Sequence, residues 1–284
     1  MSSIRIDAHQ HYWKIARNDY GWITPELPEL YRDYLPADLK PHLTKHHLQG
    51  SIVVQAAATL AETEYILSLS DDSEEILGVV GWLDLEDPDY REHFAAFKKH
   101  PKFVGFRVMI QELPDANVIL EPSYIEAMRY FAELDVPVDL LVSSHQLDAV
   151  VRMLQQVPGL RAVMDHIAKP QIADGILEPW KSQMAVIAQI PGIYCKVSAM
   201  VTEADHTDWQ YSDFTAYIRH VIEVFGSDRI LFGSDWPVCL LAASYDEVMN
   251  VLLKSLPELW SDAENAKLFG ENAAVFYKLK GWNK

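Results

Sequence analysis

Cysteine is scarce in this sequence. The two cysteines, Cys195 and Cys239, form no Cys-x-x-Cys pair and are too few for a disulfide framework. That places the chain in a reducing compartment, the cytoplasm. No apolar run is long enough to cross a bilayer, and the opening Met1-Ser2-Ser3-Ile4-Arg5 lacks the apolar core of a signal peptide. Positive charge is also short: 24 Lys and Arg face 41 Asp and Glu, a net −17. A surface this acidic argues against nucleic acid and anionic membranes as partners, since both are polyanions. A pocket inside such a protein can still be locally positive. No Gly-x-Gly-x-x-Gly turn follows the first strand, which speaks against a bound dinucleotide or other organic cofactor. Low-complexity segments, charge blocks and Gly/Ser linkers are missing, so nothing divides residues 1–284 into more than one domain. No signature of a particular subunit number is present either.

What remains is alternation, in a chain that is 49% hydrophobic. Short β-branched runs at 4–9, 51–56, 76–83, 103–108, 136–142, 161–166, 192–197 and 229–233 read as eight strands. Amphipathic stretches lie between most of them. Residues 123–134 put Ile125, Met128 and Phe131 on one face. Residues 146–157 do so with Leu147, Val150, Val151 and Leu154, and 214–225 with Tyr217, Ile218, Val221 and Ile222. Periods of 2 and 3.6 in turn mean repeated β-α units and a parallel sheet. Eight units favour a closed (β/α)8 barrel, a fold that routinely exceeds 250 residues as one domain. The aromatic, proline-rich stretch from Tyr12 through Pro41 reads as a long loop, with the first helix near 42–48.

Active sites of such barrels sit at the carboxyl ends of the strands. Strand one ends in Asp7-Ala8-His9-Gln10-His11. Residues two apart share a face. With Ile4, Ile6 and Ala8 assigned to the helix-packed face, Asp7, His9 and His11 point into the barrel. Two imidazoles on one face make a compact pair of nitrogen ligands; the plainer alternative is two hydrogen-bonded core histidines. Strand six ends in Met164-Asp165-His166, where Ala162, Met164 and His166 alternate onto one face. Strand eight runs into Gly233-Ser234-Asp235-Trp236-Pro237, with Leu231, Gly233 and Asp235 inward. A carboxylate there is costly unless paired or bound to a metal. Capping of the next helix falls more naturally to Ser234 or Ser244. Three histidines and one aspartate thus converge from strands one, six and eight.

This pattern resembles the amidohydrolase superfamily, and within it the branch of sugar lactonases and pyrone-dicarboxylate lactonase. The matching pieces run nearly the whole length. They include Asp7-Ala8-His9-Gln10-His11-Tyr12-Trp13, Tyr20-Gly21-Trp22-Ile23, Gly105-Phe106-Arg107, Asp165-His166 with Lys169-Pro170, Cys195-Lys196-Val197-Ser198 and Gly233-Ser234-Asp235-Trp236-Pro237. The resemblance implies hydrolysis around an activated water. Binuclear members of the superfamily carry a bridging lysine or glutamate and a fifth-strand histidine. Here Val136-Pro137-Val138-Asp139-Leu140-Leu141-Val142 supplies neither, and His145 beyond it reads as a loop residue. The expectation is therefore one divalent ion, zinc first by its N/O donors, held by His9, His11, His166 and Asp235, or no metal at all.

A second tier surrounds these four. Arg107 faces inward on strand four and Lys196 on strand seven. Cations enter a barrel mouth only with anionic partners. Arg107 is assigned to substrate, whereas Lys196 is open between substrate and internal pairing, for example with Asp139. Gln55, Trp22, Trp82 and Trp236 are candidates for the walls of a sugar site, with simple packing as the alternative. The remaining histidines, His206 among them, receive no role. Cys195 is buried filler, and Cys239 lacks a base partner. Together these predict a hydrolase that opens a small-molecule lactone, of sugar-acid type. Asp235 serves as general base and catalytic residue with His166. A metal-dependent decarboxylase, a pyrone-dicarboxylate hydrolase and a non-catalytic binding barrel are the alternatives. A single inward arginine disfavours the dicarboxylate.

Overall fold

The computed structural model describes residues 4–281. Residues 1–3, which open the segment read for a leader, lie outside them. Eight strands form one parallel sheet in the order of the sequence: β1 (Ile6–Gln10), β2 (Gly50–Val54), β3 (Ile76–Trp82), β4 (Phe103–Met109), β5 (Val138–Leu141), β6 (Ala162–Met164), β7 (Ile193–Val197) and β8 (Ile230–Phe232). The sheet comes back on itself where Gln10 bridges Trp236. There the His11 N–H donates to the Trp236 carbonyl at 2.8 Å and the Asp235 N–H to that of His9 at 2.9 Å. Helices α1 (Pro36–Lys45), α2 (Leu60–Asp71), α3 (Tyr90–Phe97), α4 (Pro122–Glu133), α5 (Leu147–Gln156), α6 (Trp180–Ala188), α7 (Tyr211–Phe225) and α8 (Tyr245–Ser255) each follow one strand. This is the (β/α)8 barrel that the alternation predicts. No helix among the described residues is long and apolar enough to cross a membrane.

The first helix begins six residues before the predicted 42–48. Pro36 takes its first position, where its fixed φ suits the helix and its missing N–H costs nothing. The Asp38 carboxylate accepts from the Leu35 N–H at 2.9 Å. Start signals therefore outweigh Pro41, which lies inside the helix. The loop before it is packed rather than open. Trp13 and Tyr34 exchange backbone hydrogen bonds at 3.0 Å, and Trp13 Nε1 donates to the Arg32 carbonyl at 2.8 Å.

Two strand faces depart from simple alternation. Ile6 and Ala8 do not face the ring of helices α1–α8. They join Ile52, Val54, Val80, Val163 and Leu231 in an apolar cluster inside the barrel. Asp7 consequently faces outward. Its carboxylate accepts from the Ser234 N–H and hydroxyl, at 2.9 and 2.5 Å, and from the Tyr245 hydroxyl at 2.9 Å. The register of β1 against β2 shifts between Asp7 and Gln10. One irregular residue flips the parity of the rest of the strand, so His9 and His11 are inward after all. In β6 the inward residue is Val163, while Ala162 and Met164 belong to the outer core.

The bottom of the barrel is closed by chain that comes after α8. Helix α9 (Asp262–Ala266) leads through a π-helical turn (Lys267–Glu271) into α10 (Asn272–Phe276). Asn272 Nδ2 donates to the carbonyls of Ser227 and Ile230, both at 2.8 Å. Phe276 and Tyr277 complete the interior apolar cluster. Below the mouth, an apolar plug thus supports a polar layer.

One carboxyl outside that layer is unusual. Glu62, in the first turn of α2, is fully buried and accepts from the Ala56 N–H at 3.1 Å. Burial pushes it up to about 8. The native state therefore holds a proton that the unfolded chain releases near the ordinary carboxylate value. Stability should fall as pH rises from there through about 8 and then level off. Glu62→Gln keeps the shape and removes the titration. We expect the parent's melting temperature to drop by several degrees between pH 6 and pH 9, and that of the variant to drop much less. Equal slopes in thermal melts of the two proteins would refute this account.

Candidate active site

Polar side chains gather where the strands end. His11 is anchored first: its Nδ1 lies 2.7 Å from the Val54 carbonyl. A carbonyl only accepts, so Nδ1 carries a hydrogen, and in the neutral ring Nε2 presents a lone pair. That lone pair sits 3.2 Å from Oδ1 of Asp235 and 3.2 Å from Nε2 of His9. His9 Nε2 and Asp235 Oδ1 are 3.7 Å apart. Gly233 permits this crowding, because a Cβ there would stand 2.6 Å from the Cβ of His9. His166 Nε2 lies 3.9 Å from the same Asp235 oxygen, and its Nδ1 is 2.9 Å from the Ser198 hydroxyl. Burial, then neighbouring cations, hold His9 well below the usual imidazole value; burial, then His9, do the same for His166.

His166 reaches the site by strain rather than by strand parity. After Asp165 the chain makes a left-handed turn. His166, Ile167, Ala168 and Lys169 have φ of 56°, 46°, 59° and 47°, at a cost of roughly 1–2 kcal/mol each for such residues. Trp180 Nε1 clamps the turn by donating to the Ile167 carbonyl at 2.7 Å, and Ile167 and Ala168 are fully buried. Backbone held in this way is typical of functional sites.

Beneath the histidines lies a sealed ionic layer. Lys196 Nζ stands 2.5 Å from Asp139, 3.0 Å from Asp165 and 3.1 Å from His9 Nδ1. The Tyr277 hydroxyl donates to Asp139 at 2.9 Å. Arg107 Nη1 lies 3.5 Å from Asp165, and its Nη2 donates to the Gln55 carbonyl. Asp165 is held below the usual carboxylate range by Lys196, His166 and Arg107, against the opposing effect of burial. Asp139 is pushed by burial up to about 6. The two cations are thus matched by two carboxylates. Asp235 faces only imidazoles among the described residues.

A cavity of about 370 Å³ opens over this layer, of a size that suits a small ligand. Of the predicted residues, His11, His166, Asp235, Arg107 and Trp22 line it. Trp22 donates its Nε1–H to the Ala56 carbonyl at 2.8 Å. His9 lies just below, fully buried. Lys196 is sealed away with its aspartates and does not meet the cavity, so internal pairing replaces the substrate contact. Gln55 and Trp236 are buried behind the wall, Trp236 edge-on to Tyr34 at 5.0 Å, and Trp82 is outside the lining. His145 is exposed. Missed by the sequence were Asp165, which shares the parity of Val163, and the loop residues Asp19, Gln111, Glu112, Lys169, Glu203 and His206 on the walls. A larger cleft of about 460 Å³ at the opposite end, beside Lys102 and Lys278, holds none of these groups.

The donors fit a metal ion. His9, His11 and Asp235 form one group able to hold it, whereas His166 groups with His9 and Asp165. Two lone pairs facing each other at 3.2 Å, His11 Nε2 and Asp235 Oδ1, repel unless a proton or a cation lies between them. Zinc bonds of about 2.0–2.2 Å in a tetrahedron place their ligand atoms roughly 3.3–3.6 Å apart, close to the spacings here. Asp165 Oδ1 lies 3.0 Å from Lys196 Nζ and 3.4 Å from His9 Nδ1. Lys196 Nζ stands 3.1 Å from the same Nδ1; with the ammonium's hydrogens turned to Asp139 and Asp165, a proton on Nδ1 would point at Asp165 and leave Nε2 free as a ligand.

A family model described as amidohydrolase matches residues 6–279. An L-fucono-1,5-lactonase of Burkholderia ambifaria is 36% identical over 281 residues, covering 98% of this chain and 96% of the relative. An L-fucono-1,5-lactonase of Burkholderia multivorans is also 36% identical, covering 98% and 97%. The crystal structure of an amidohydrolase from Burkholderia multivorans with bound zinc superposes with a TM-score of 0.91 at 36% identity, covering 98% of this chain and all of that one.

Proposed function

This chain belongs to the amidohydrolase family and opens a sugar lactone, and from that premise we propose a six-membered aldonolactone, of the L-fucono-1,5-lactone type, as its substrate and Asp235 as the general base. The observation that carries the mechanism is the setting of Asp235. It is the carboxylate of the polar layer that meets the cavity, and among the described residues no lysine or arginine forms an ion pair with it.

In the proposed reaction a water on the cavity floor gives its proton to Asp235 as its oxygen attacks the lactone carbonyl carbon. Arg107 and His166 face the carbonyl oxygen and stabilise the charge that develops on it. The bond between carbonyl carbon and ring oxygen then breaks, and Asp235 returns the proton to that oxygen. The product is an open hydroxy acid, whose carboxyl proton goes to solvent. His9 and His11 position the water and Asp235. These histidines with Asp235 would also hold one zinc ion, which would supply electrophilic assistance to ester cleavage.

The cavity walls favour a neutral sugar over the other substrates of this fold. Asp19, Glu112 and Glu203 line it, against Arg107 and Lys169. Such a wall repels a pyrone dicarboxylate or an aromatic acid awaiting decarboxylation.

Acid release followed in a pH-stat tests this, with enzyme as purified, stripped by chelator and reloaded with zinc. Six-membered aldonolactones should be the best substrates of a panel that includes five-membered lactones and a pyrone dicarboxylate. Turnover confined to the dicarboxylate, or CO2 release from an aromatic acid, would overturn the reading. Activity that chelation abolishes and zinc restores supports the ion. Unchanged activity leaves the histidines as positioning groups only.

A further inference from the structure

The left-handed turn that delivers His166 also delivers Lys169, and the mechanism above uses only the first of them. Lys169 lines the cavity wall, and Glu203 lines the same wall. Lys169 Nζ and Glu203 Oε1 are 3.4 Å apart, well beyond the roughly 2.7–2.9 Å of a strong charge-assisted hydrogen bond. About a quarter of each side chain is exposed, 25% for Lys169 and 22% for Glu203. Neither is consumed by the other: the ammonium keeps donors and the carboxylate keeps lone pairs for whatever enters.

Their backbones, by contrast, are fixed. The Lys169 N–H donates to the His166 carbonyl at 2.9 Å, and the Glu203 carbonyl accepts from the Ala173 N–H at 2.9 Å. Burial raises the pKa of Glu203, and the charge of Lys169 and a hydrogen bond from it oppose the rise only in part. A largely buried carboxylate 3.4 Å from an ammonium, both on the wall of a cavity, is an incomplete ion pair. A hydroxyl completes it, since each hydroxyl both donates and accepts. Two adjacent hydroxyls of a sugar ring match the pair best, one accepting from Lys169 and one donating to Glu203.

We propose that Lys169 and Glu203 form a specificity pair that reads adjacent ring hydroxyls of the lactone, away from the ester being cleaved. The proposal rests on the sugar-lactone reading above and adds the residues that tell a hydroxylated ring from a bare one. Losing a hydrogen bond to a charged partner corresponds to about a tenfold to hundredfold loss of binding. It falls on KM when the contact is equal in ground and transition states.

The test compares L-fucono-1,5-lactone with δ-valerolactone, which has the same ring without hydroxyls, on the parent, Lys169→Met and Glu203→Gln. In each variant KM for the sugar lactone should rise about tenfold to hundredfold with kcat held, while δ-valerolactone turnover falls far less, so the ratio of kcat/KM between the two collapses. Lys169→Arg should recover part of the ratio. Equal losses on both lactones, with a lowered melting temperature, would mean that the pair only supports the loop, and would overturn the proposal. No change on either lactone would overturn it as well. A parent enzyme that opens neither lactone would bring down the lactonase reading and this proposal with it.

Discussion

Asp235→Asn should lower kcat for lactone opening by about 10²- to 10⁴-fold, the range typical of a lost general base, while the fold stays intact. The reasoning lies in what the other carboxylates are doing. Asp7 accepts from Ser234 twice and from Tyr245. Asp139 is held by Lys196 and Tyr277. Asp165 is kept ionised by two cations and is fully buried. Asp235 lines the cavity and pairs with no lysine or arginine among the described residues. Asparagine preserves the shape and can donate to His11 Nε2, 3.2 Å from the present oxygen, so the substitution should be tolerated. What it removes is an oxygen able to take a proton from water and give it back. Steady-state kinetics with thermal melts as control decide the matter. Full activity in the variant would eliminate Asp235 as base.

That residue was legible in the sequence for a physical reason. Counting alternate positions from Leu231 through Gly233 points it inward, and it does reach the cavity, although β8 ends at Phe232 and Asp235 itself has a left-handed backbone with φ of 57°. The barrel was legible for the same kind of reason, as eight alternations of period 2 with period 3.6 leave few other folds. His9 and His11 were placed correctly by an argument that was wrong in its middle step. Simple alternation put Asp7 inside with them. The shift of register after Asp7 turns that residue toward Ser234 and Tyr245 and then restores the histidines to the interior. A bulge has no marker in residue type, so parity counted across it carries no warning. His166 is a sharper case. Its strand residues Ala162 and Met164 face outward, and only a run of four left-handed residues, none of them glycine, swings it in. Composition gives no hint of such a turn, because the clamp that holds it comes from Trp180, fourteen positions away in sequence. Lys169 appeared only as part of a matching motif, without a role, and Glu203 not at all, for a related reason. They come from loops, where no period relates a residue's position to the direction it faces. Trp236, Gln55 and Trp82 show the converse. They stand near strand ends, yet the cavity is bounded by other side chains, and aromatic size alone does not say which face of a wall a ring occupies.

The ionic layer under the site yields the other large effect. Lys196→Met should cost about 3–5 kcal/mol of stability at pH 8, the range for removing one partner of a buried pair. Lys196 is fully buried and stands within 3.0 Å of both Asp139 and Asp165. Asp165 retains Arg107 at 3.5 Å, but among the described residues Asp139 keeps only the Tyr277 hydroxyl. The sign of the pH dependence separates this cause from lost packing. Asp139 already stands raised to about 6 by burial, with Lys196 opposing the rise. Without the lysine it rises further, so its native form holds a proton through neutral pH that the unfolded chain has given up. Stability of the variant should then fall as pH increases across that window. The deficit relative to the parent should be smallest near pH 5, where Asp139 is protonated in both proteins, and largest at pH 8. A packing defect would cost the same at both. The double variant Lys196→Met with Asp139→Asn removes the uncompensated charge and should recover a substantial part of the loss at pH 8 but little at pH 5. Denaturant unfolding of the parent and these two variants at pH 5 and pH 8 measures all of this. A deficit independent of pH, or a double variant no more stable than Lys196→Met at pH 8, would show that Lys196 is not there to neutralise Asp139.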